Sequence, residues 1–106
     1  MYVVMNRIAV KPEYAEALEE RFRSRAGEVD RMPGFIRTMV LKPDRPDTPH
    51  VVLTLWESKE AFEAWTQSEA FQKGHRHSGT LPPDAFLGPS RLETFVAFVD
   101  SGERGT

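Results

Sequence analysis

The stretch FIRTMVLKPDRPDTPHVVLTLW, Phe35 to Trp56, decides the fold. From Phe35 to Leu41 the residues alternate, with Phe35, Met39 and Leu41 on one face and Ile36 and Val40 on the other, the period of a strand. His50 to Trp56 is a second strand, rich in β-branched residues and apolar on both faces. Between them, Lys42 to Pro49 carries three prolines among polar residues, so it reads as a loop. Two strands joined by one polar loop predict an antiparallel hairpin. Pro33-Gly34 in front of it is a turn signal.

Upstream, residues 13–31 read as a helix. Ala15, Leu18, Phe22, Ala26 and Val29 recur at three- and four-residue steps, with Glu and Arg on the other side. Pro12 suits the position just before it. Residues 2–10 alternate again. Tyr2, Val4, Asn6, Ile8 and Val10 face one way and Val3, Met5, Arg7 and Ala9 the other. Downstream, Ser58 is an N-cap for a short helix through Gln67, with Glu60 in its first turn. Ser68-Glu69 repeats the signal and predicts a second short helix to about Arg76. Ser78 to Pro89 is a Gly/Pro loop carrying two exposed-looking apolar residues, Phe86 and Leu87. Arg91 to Val99 is the last strand.

The order β-α-β-β-α-β is the ferredoxin-like arrangement of α+β proteins, an antiparallel sheet with helices on one face. Strands one, three and four are apolar on both faces, so a second subunit packing sheet against sheet is expected, giving a homodimeric α+β barrel. The length of 106 residues predicts a single domain over 1–100, with a polar, frayed tail at 101–106.

Composition narrows the function. Net charge is −2 from 14 basic and 16 acidic residues, which gives no electrostatic case for nucleic acid or an anionic membrane. No stretch approaches the ~20 apolar residues of a membrane helix. MYVVMNRIAV lacks the features of a signal peptide, so a cytoplasmic location is expected. The chain has no cysteine, which removes disulfides and thiol chemistry. His75-Arg76-His77 sets two imidazoles ~200° apart on a helix, so they cannot share a metal. No Gly-rich phosphate loop, nucleophile elbow or helical His-x-x-x-His pair is present.

Three residues remain. Asn6 puts an amide in an apolar strand, where it needs a partner. Trp65 follows Phe62 by three residues, which fits a core position or a ligand wall. His75 lies ten residues beyond Trp65. On one continuous helix those two would stand ~15 Å and ~80° apart, but a bend at Ser68 lets both look into one pocket. Bland readings stay open for each: Asn6 as a satisfied strand amide, and His75 and His77 as cations favoured at a helix C-terminus. His50 opens a strand after a loop and carries no signal. Glu19, Glu20, Arg21, Arg23 and Arg25 are most simply a solvated helix face, although Arg21 or Arg25 could meet a ligand carboxylate.

Together these segments resemble a family. Asn6-Arg7, Glu20-Arg21-Phe22 with Arg25, Pro33-Gly34-Phe35, Leu53-Thr54-Leu55-Trp56-Glu57-Ser58 running into Ala61-Phe62-x-x-Trp65, and Ser68-x-x-Phe71-x-x-x-His75 resemble the haem-degrading monooxygenases of the Isd type, within the antibiotic-biosynthesis-monooxygenase (ABM) superfamily. The resemblance covers roughly residues 2–98. It implies a dimeric ferredoxin-like barrel and an enzyme for which haem is both cofactor and substrate. O2 and an electron donor would open the porphyrin and release iron. It implies His75 as the axial ligand of the haem iron, Asn6 as a hydrogen-bond donor on the distal side, Trp65 as the group that presses on and buckles the ring, and Phe22 as pocket lining. Two other readings compete. One is a cofactor-independent monooxygenase of a quinol or aromatic polyketide. The other is a non-catalytic dimeric ligand-binding module.

Overall fold

The computed structural model describes residues 1–24, 28–45, 47–69, 71 and 81–101. Strand β1 is Tyr2–Ile8, helix α1 Ala15–Ser24, strand β2 Phe35–Leu41, strand β3 His50–Trp56, helix α2 Lys59–Thr66 and strand β4 Arg91–Val96. The four strands form one antiparallel sheet in the order β2-β3-β1-β4. This is the expected ferredoxin-like order, with β2 and β3 paired as the hairpin. Among the described residues no helix is long and apolar enough to cross a membrane.

The helix expected over 13–31 is divided. A 3-10 turn at Pro12–Tyr14 leads into α1, and a second 3-10 turn occupies Glu28–Arg31. Ala26 lies outside the described residues. In the second turn Val29 and, just after it, Met32 pack on the core. Strand β1 stops at Ile8, two residues short of the expected Val10. From there the backbone turns to the 81–90 segment: Leu87 N–H donates to the Ala9 carbonyl (2.9 Å), Lys11 N–H to the Ala85 carbonyl (2.8 Å), and Val10 bridges Phe86. Phe86 is therefore half-buried, while Leu87 stays exposed as expected. Strand β4 ends at Val96, leaving Phe98 and Val99 exposed beyond it. Residues 102–106 lie outside the described residues.

One face of the sheet carries the core. Tyr2, Val4 and Trp56 form its centre, with Val29, Met32, Phe35, Ala61, Phe62 and Trp65 packed against it. Trp56 is fully buried, its indole N–H donating to the Thr54 hydroxyl at 3.0 Å. The rings of Phe35 and Phe62 meet it edge-on, at centroid distances of 5.5 and 5.9 Å.

Phe35 corrects the alternation read from the sequence. The register runs Phe35↔Trp56 and then Arg37↔Leu55, so Ile36 is one residue too many, a β-bulge. Phe35 thereby joins Thr38 and Val40 on the helix side, and Arg37, Met39 and Leu41 take the other. Just before it, Gly34 has φ +83°, and its carbonyl accepts the Glu57 N–H at 2.8 Å. A Cβ on Gly34 would come within 2.5 Å of the Ala61 Cβ. Glycine is needed there both for the backbone and for the close approach of α2.

The other sheet face presents Val3, Met5, Arg37, Met39, Leu41, Leu53, Leu55 and Phe95. Phe95 and Leu41 are exposed. Arg7 and Glu93 pair in the same face, Nε to Oε1 at 2.8 Å, and the guanidinium holds the Glu93 carboxyl below its usual range.

Candidate active site

Directly paired residues of an antiparallel sheet share a face. The registers therefore set Val40, Val52, Asn6 and Leu92 in one row across all four strands, on the helix side. At about 4.8 Å between strands the row is about 14 Å long. Its two ends are open, Val40 being 38% and Leu92 60% exposed. Asn6 is half-buried at its middle, between two apolar neighbours. Its side chain makes no hydrogen bond among the described residues, unlike the neighbouring polar groups. The row is thus an apolar strip with one unused amide at its centre.

Two aromatic residues on different helices lie at the margins of the strip. Phe22, on α1, lines a cavity of about 210 Å³ together with Val40, Glu19, Arg23, Lys42 and His50, which places it at the β2 end. Trp65, on α2, packs against the cluster containing Val4. Val4 precedes Asn6 by two residues on the same face, about 7 Å along the strand.

Helix α2 starts as the sequence predicts. The Ser58 hydroxyl accepts the Ala61 N–H at 3.2 Å, and Glu60 lies in the first turn. It ends at Thr66 with Gln67 as its C-cap, and the Ser68 hydroxyl just beyond donates to the Trp65 carbonyl (2.7 Å) and accepts the Phe71 N–H (3.1 Å). One hydroxyl closes a helix and caps the next turn. The chain bends there, because the Phe71 ring meets the Trp65 ring edge-on at 5.5 Å. Six residues apart on a straight helix, the two would point about 120° apart and lie about 9 Å apart along the axis. The predicted bend is therefore present. His75 and His77, with most of the expected second helix, lie outside the described residues, as does Arg25.

Glu19 departs from the solvated face assigned to it. Its side chain is 11% exposed, and its Oε2 meets His50 Nε2 at 2.7 Å. Lys42 Nζ lies 3.6 Å from Oε1. The hydrogen bond from His50, and then the charge of Lys42, hold the Glu19 carboxyl below its usual range against the opposing effect of burial. His50 is itself buried, 4% exposed. Sequence reading passed over both members. The available signal was the position of Glu19 between Leu18 and Phe22, on the apolar side of α1.

A family description, Antibiotic biosynthesis monooxygenase, matches residues 1–77. The chain belongs to this family. Within it, the chain is 39% identical over 79 residues to a haem oxygenase (staphylobilin-producing) of Staphylococcus haemolyticus, covering 73% of this chain and 75% of that one. It is 36% identical over 103 residues to a haem oxygenase (mycobilin-producing) of Mycobacterium tuberculosis, covering 97% and 94%. Among solved structures, the haem-degrader MhuD from Mycobacterium tuberculosis, with two haems bound in its active site, superposes with a TM-score of 0.75. That match has 33% identity and covers 94% of this chain and 98% of that one. The ferredoxin-like ABM fold read from the registers and the family assignment agree.

Proposed function

We propose that this chain is a haem-degrading monooxygenase that binds haem and opens its ring with O2 and a reductant, releasing iron. The observation that carries the reading is the strip Val40–Val52–Asn6–Leu92. It is about 14 Å long and apolar, with a single side-chain amide at its centre that has no partner among the described residues, in a chain whose relatives include haem-degrading enzymes matched over almost their full length.

The residues fit such a substrate. Val52 and Leu92 offer apolar contact to a flat macrocycle and keep water from its face. Phe22 closes the β2 end and Trp65 the side towards the core. The backbone of Asn6 is held in the strand ladder, and its side-chain amide has no partner among the described residues, so that amide N–H is available to donate where negative charge develops on oxygen. Trp65 is backed by the packed cluster and by the Phe71 ring, so it can press on a ligand without yielding. On the motif Ser68-x-x-Phe71-x-x-x-His75, His75 would be the residue that holds the haem iron. Haem, when bound, supplies the iron that activates O2 and the carbon that is oxidised. It is thus cofactor as well as substrate. The electron donor is a separate protein or small reductant.

A second copy of the chain completes the molecule in this reading. The sheet face opposite the strip is largely apolar, with Leu41 and Phe95 exposed on it, and burying it against its own copy gives the homodimeric barrel.

The test is optical. Purified protein is titrated with haemin, then ascorbate is added in air with catalase present. A saturable Soret band that decays into bilin-like absorbance is expected. Absence of saturable binding overturns the proposal and returns the quinol or polyketide reading.

A further inference from the structure

The catalytic reading leaves one buried polar pair without a task. His50 opens β3 and Glu19 sits in the middle of α1, 31 residues earlier, yet their side chains meet at 2.7 Å, both almost wholly buried. The pair ties the middle of helix α1 to the start of β3. Of its ten residues only Leu18 is buried. Apolar contact is non-directional, so burial of Leu18 does not by itself set the roll of the helix on the sheet. A short hydrogen bond to a carboxylate is directional and strong. A buried pair of this kind commonly adds little net stability over apolar residues of the same volume, so its use here is orientation.

What it orients is Phe22. Glu19 and Phe22 are three residues apart and lie on one side of the helix. Both line the cavity that also contains Val40, the β2 end of the substrate strip. Lys42, at 3.6 Å from the other carboxylate oxygen, ties the same group to the chain just after β2.

We propose that the Glu19–His50 pair is a positioning latch that fixes the roll of α1 and so holds the Phe22 ring over the β2 end of the substrate slot. Glu19 and His50 are positioning residues, and neither need touch the substrate. The proposal rests on the reading of the slot as the haem site only for its functional consequence; the latch itself is a property of the protein without haem.

The experiment therefore has two arms. In the first, 4-fluorophenylalanine is placed at position 22 by site-specific incorporation, and its 19F resonance is recorded without haem in the parent, Glu19→Ala, Glu19→Gln and His50→Ala. A latch predicts one narrow resonance in the parent. It is displaced or broadened in Glu19→Ala and His50→Ala and largely restored in Glu19→Gln, whose amide oxygen still accepts from His50. In the second arm, haemin is titrated into the parent, Glu19→Ala, Phe22→Ala and the double variant. Glu19→Ala is expected to weaken binding roughly tenfold, and the double variant to bind no worse than Phe22→Ala alone, the non-additivity of residues acting through one another. An unmoved 19F resonance in folded Glu19→Ala and His50→Ala, or fully additive losses, overturns the latch. If the parent fails to bind haemin while the resonance shifts as described, the latch stands and the haem reading falls.

Discussion

At one end of the helix-covered sheet face Tyr2, Phe35, Trp56 and Phe62 close on one another until Trp56 has no exposed surface. Further along the same face the strands carry Val40, Val52, Asn6 and Leu92, of which Val40 and Leu92 are exposed and Val52 and Asn6 half-buried. The strands do not differ; the cover does. Helix α2 and the 3-10 turn at Glu28–Arg31 lie on the aromatic end, and Gly34 lets α2 come close. Stability and ligand capacity are thus separated along one face. An enzyme can change its slot without loosening its core only if the two are separable in this way.

Mutations at the two ends should give opposite signatures. Trp56→Ala has the largest effect. Loss of a fully buried indole costs about 3–5 kcal/mol, read as a lower urea midpoint. A cost below 1 kcal/mol would mean that the aromatic end does not carry the fold. Asn6→Ala inverts the pattern. Its amide has no side-chain partner to lose, so the urea midpoint should move by no more than about 0.5 kcal/mol. Ring opening should slow by about 10²-fold, with haemin binding kept, as for loss of one oxyanion-type donor. A large stability loss instead would return Asn6 to the structural reading.

Leu92→Asp probes the open end of the strip. Leu92 is exposed and contributes little to the core, so if it forms part of the proposed haem floor, haemin affinity should fall roughly tenfold at unchanged stability, from the apolar burial lost. Equal affinity would remove Leu92 from the floor. The smallest effect is at Glu19. Its carboxyl titrates below the usual range in the folded chain, so its contribution is present above the unfolded value of about 4.3 and is lost as pH falls through the lower folded value. Glu19→Gln should therefore lower the melting temperature near neutrality and flatten the acid limb. Parallel limbs in parent and variant would show that the pairing with His50 does not differ between folded and unfolded chains.

Much of this was legible in the letters. The bounds of β2 and β3 follow from apolar runs cut off by Pro33-Gly34 and by the proline loop, because proline and glycine act locally. The side of β1 that carries Asn6 follows from alternation alone. The bend at Ser68 was legible because a cap needs only a serine and the next few amides. What escaped depends on partners distant in sequence. The Ile36 bulge exists only against β3. Glu19 reads as a surface charge until His50 is placed beside it. The strip itself needs three registers at once, and no periodicity within one strand gives the pairing of Asn6 with Leu92.

The bulge at Ile36 makes the face of Phe35 a matter of chain length rather than of residue type. Loss of that one codon would leave every neighbouring letter unchanged and yet return the strand to strict alternation, sending Phe35 away from Trp56 and onto the far side of the sheet. A lineage of such chains can exchange residue types at Ile36, which is exposed, but cannot change the count there without trading a core ring for a surface one. The proline loop at 42–49, beyond the paired ends of the hairpin, has no such counting rule, and it is where insertions and deletions should accumulate.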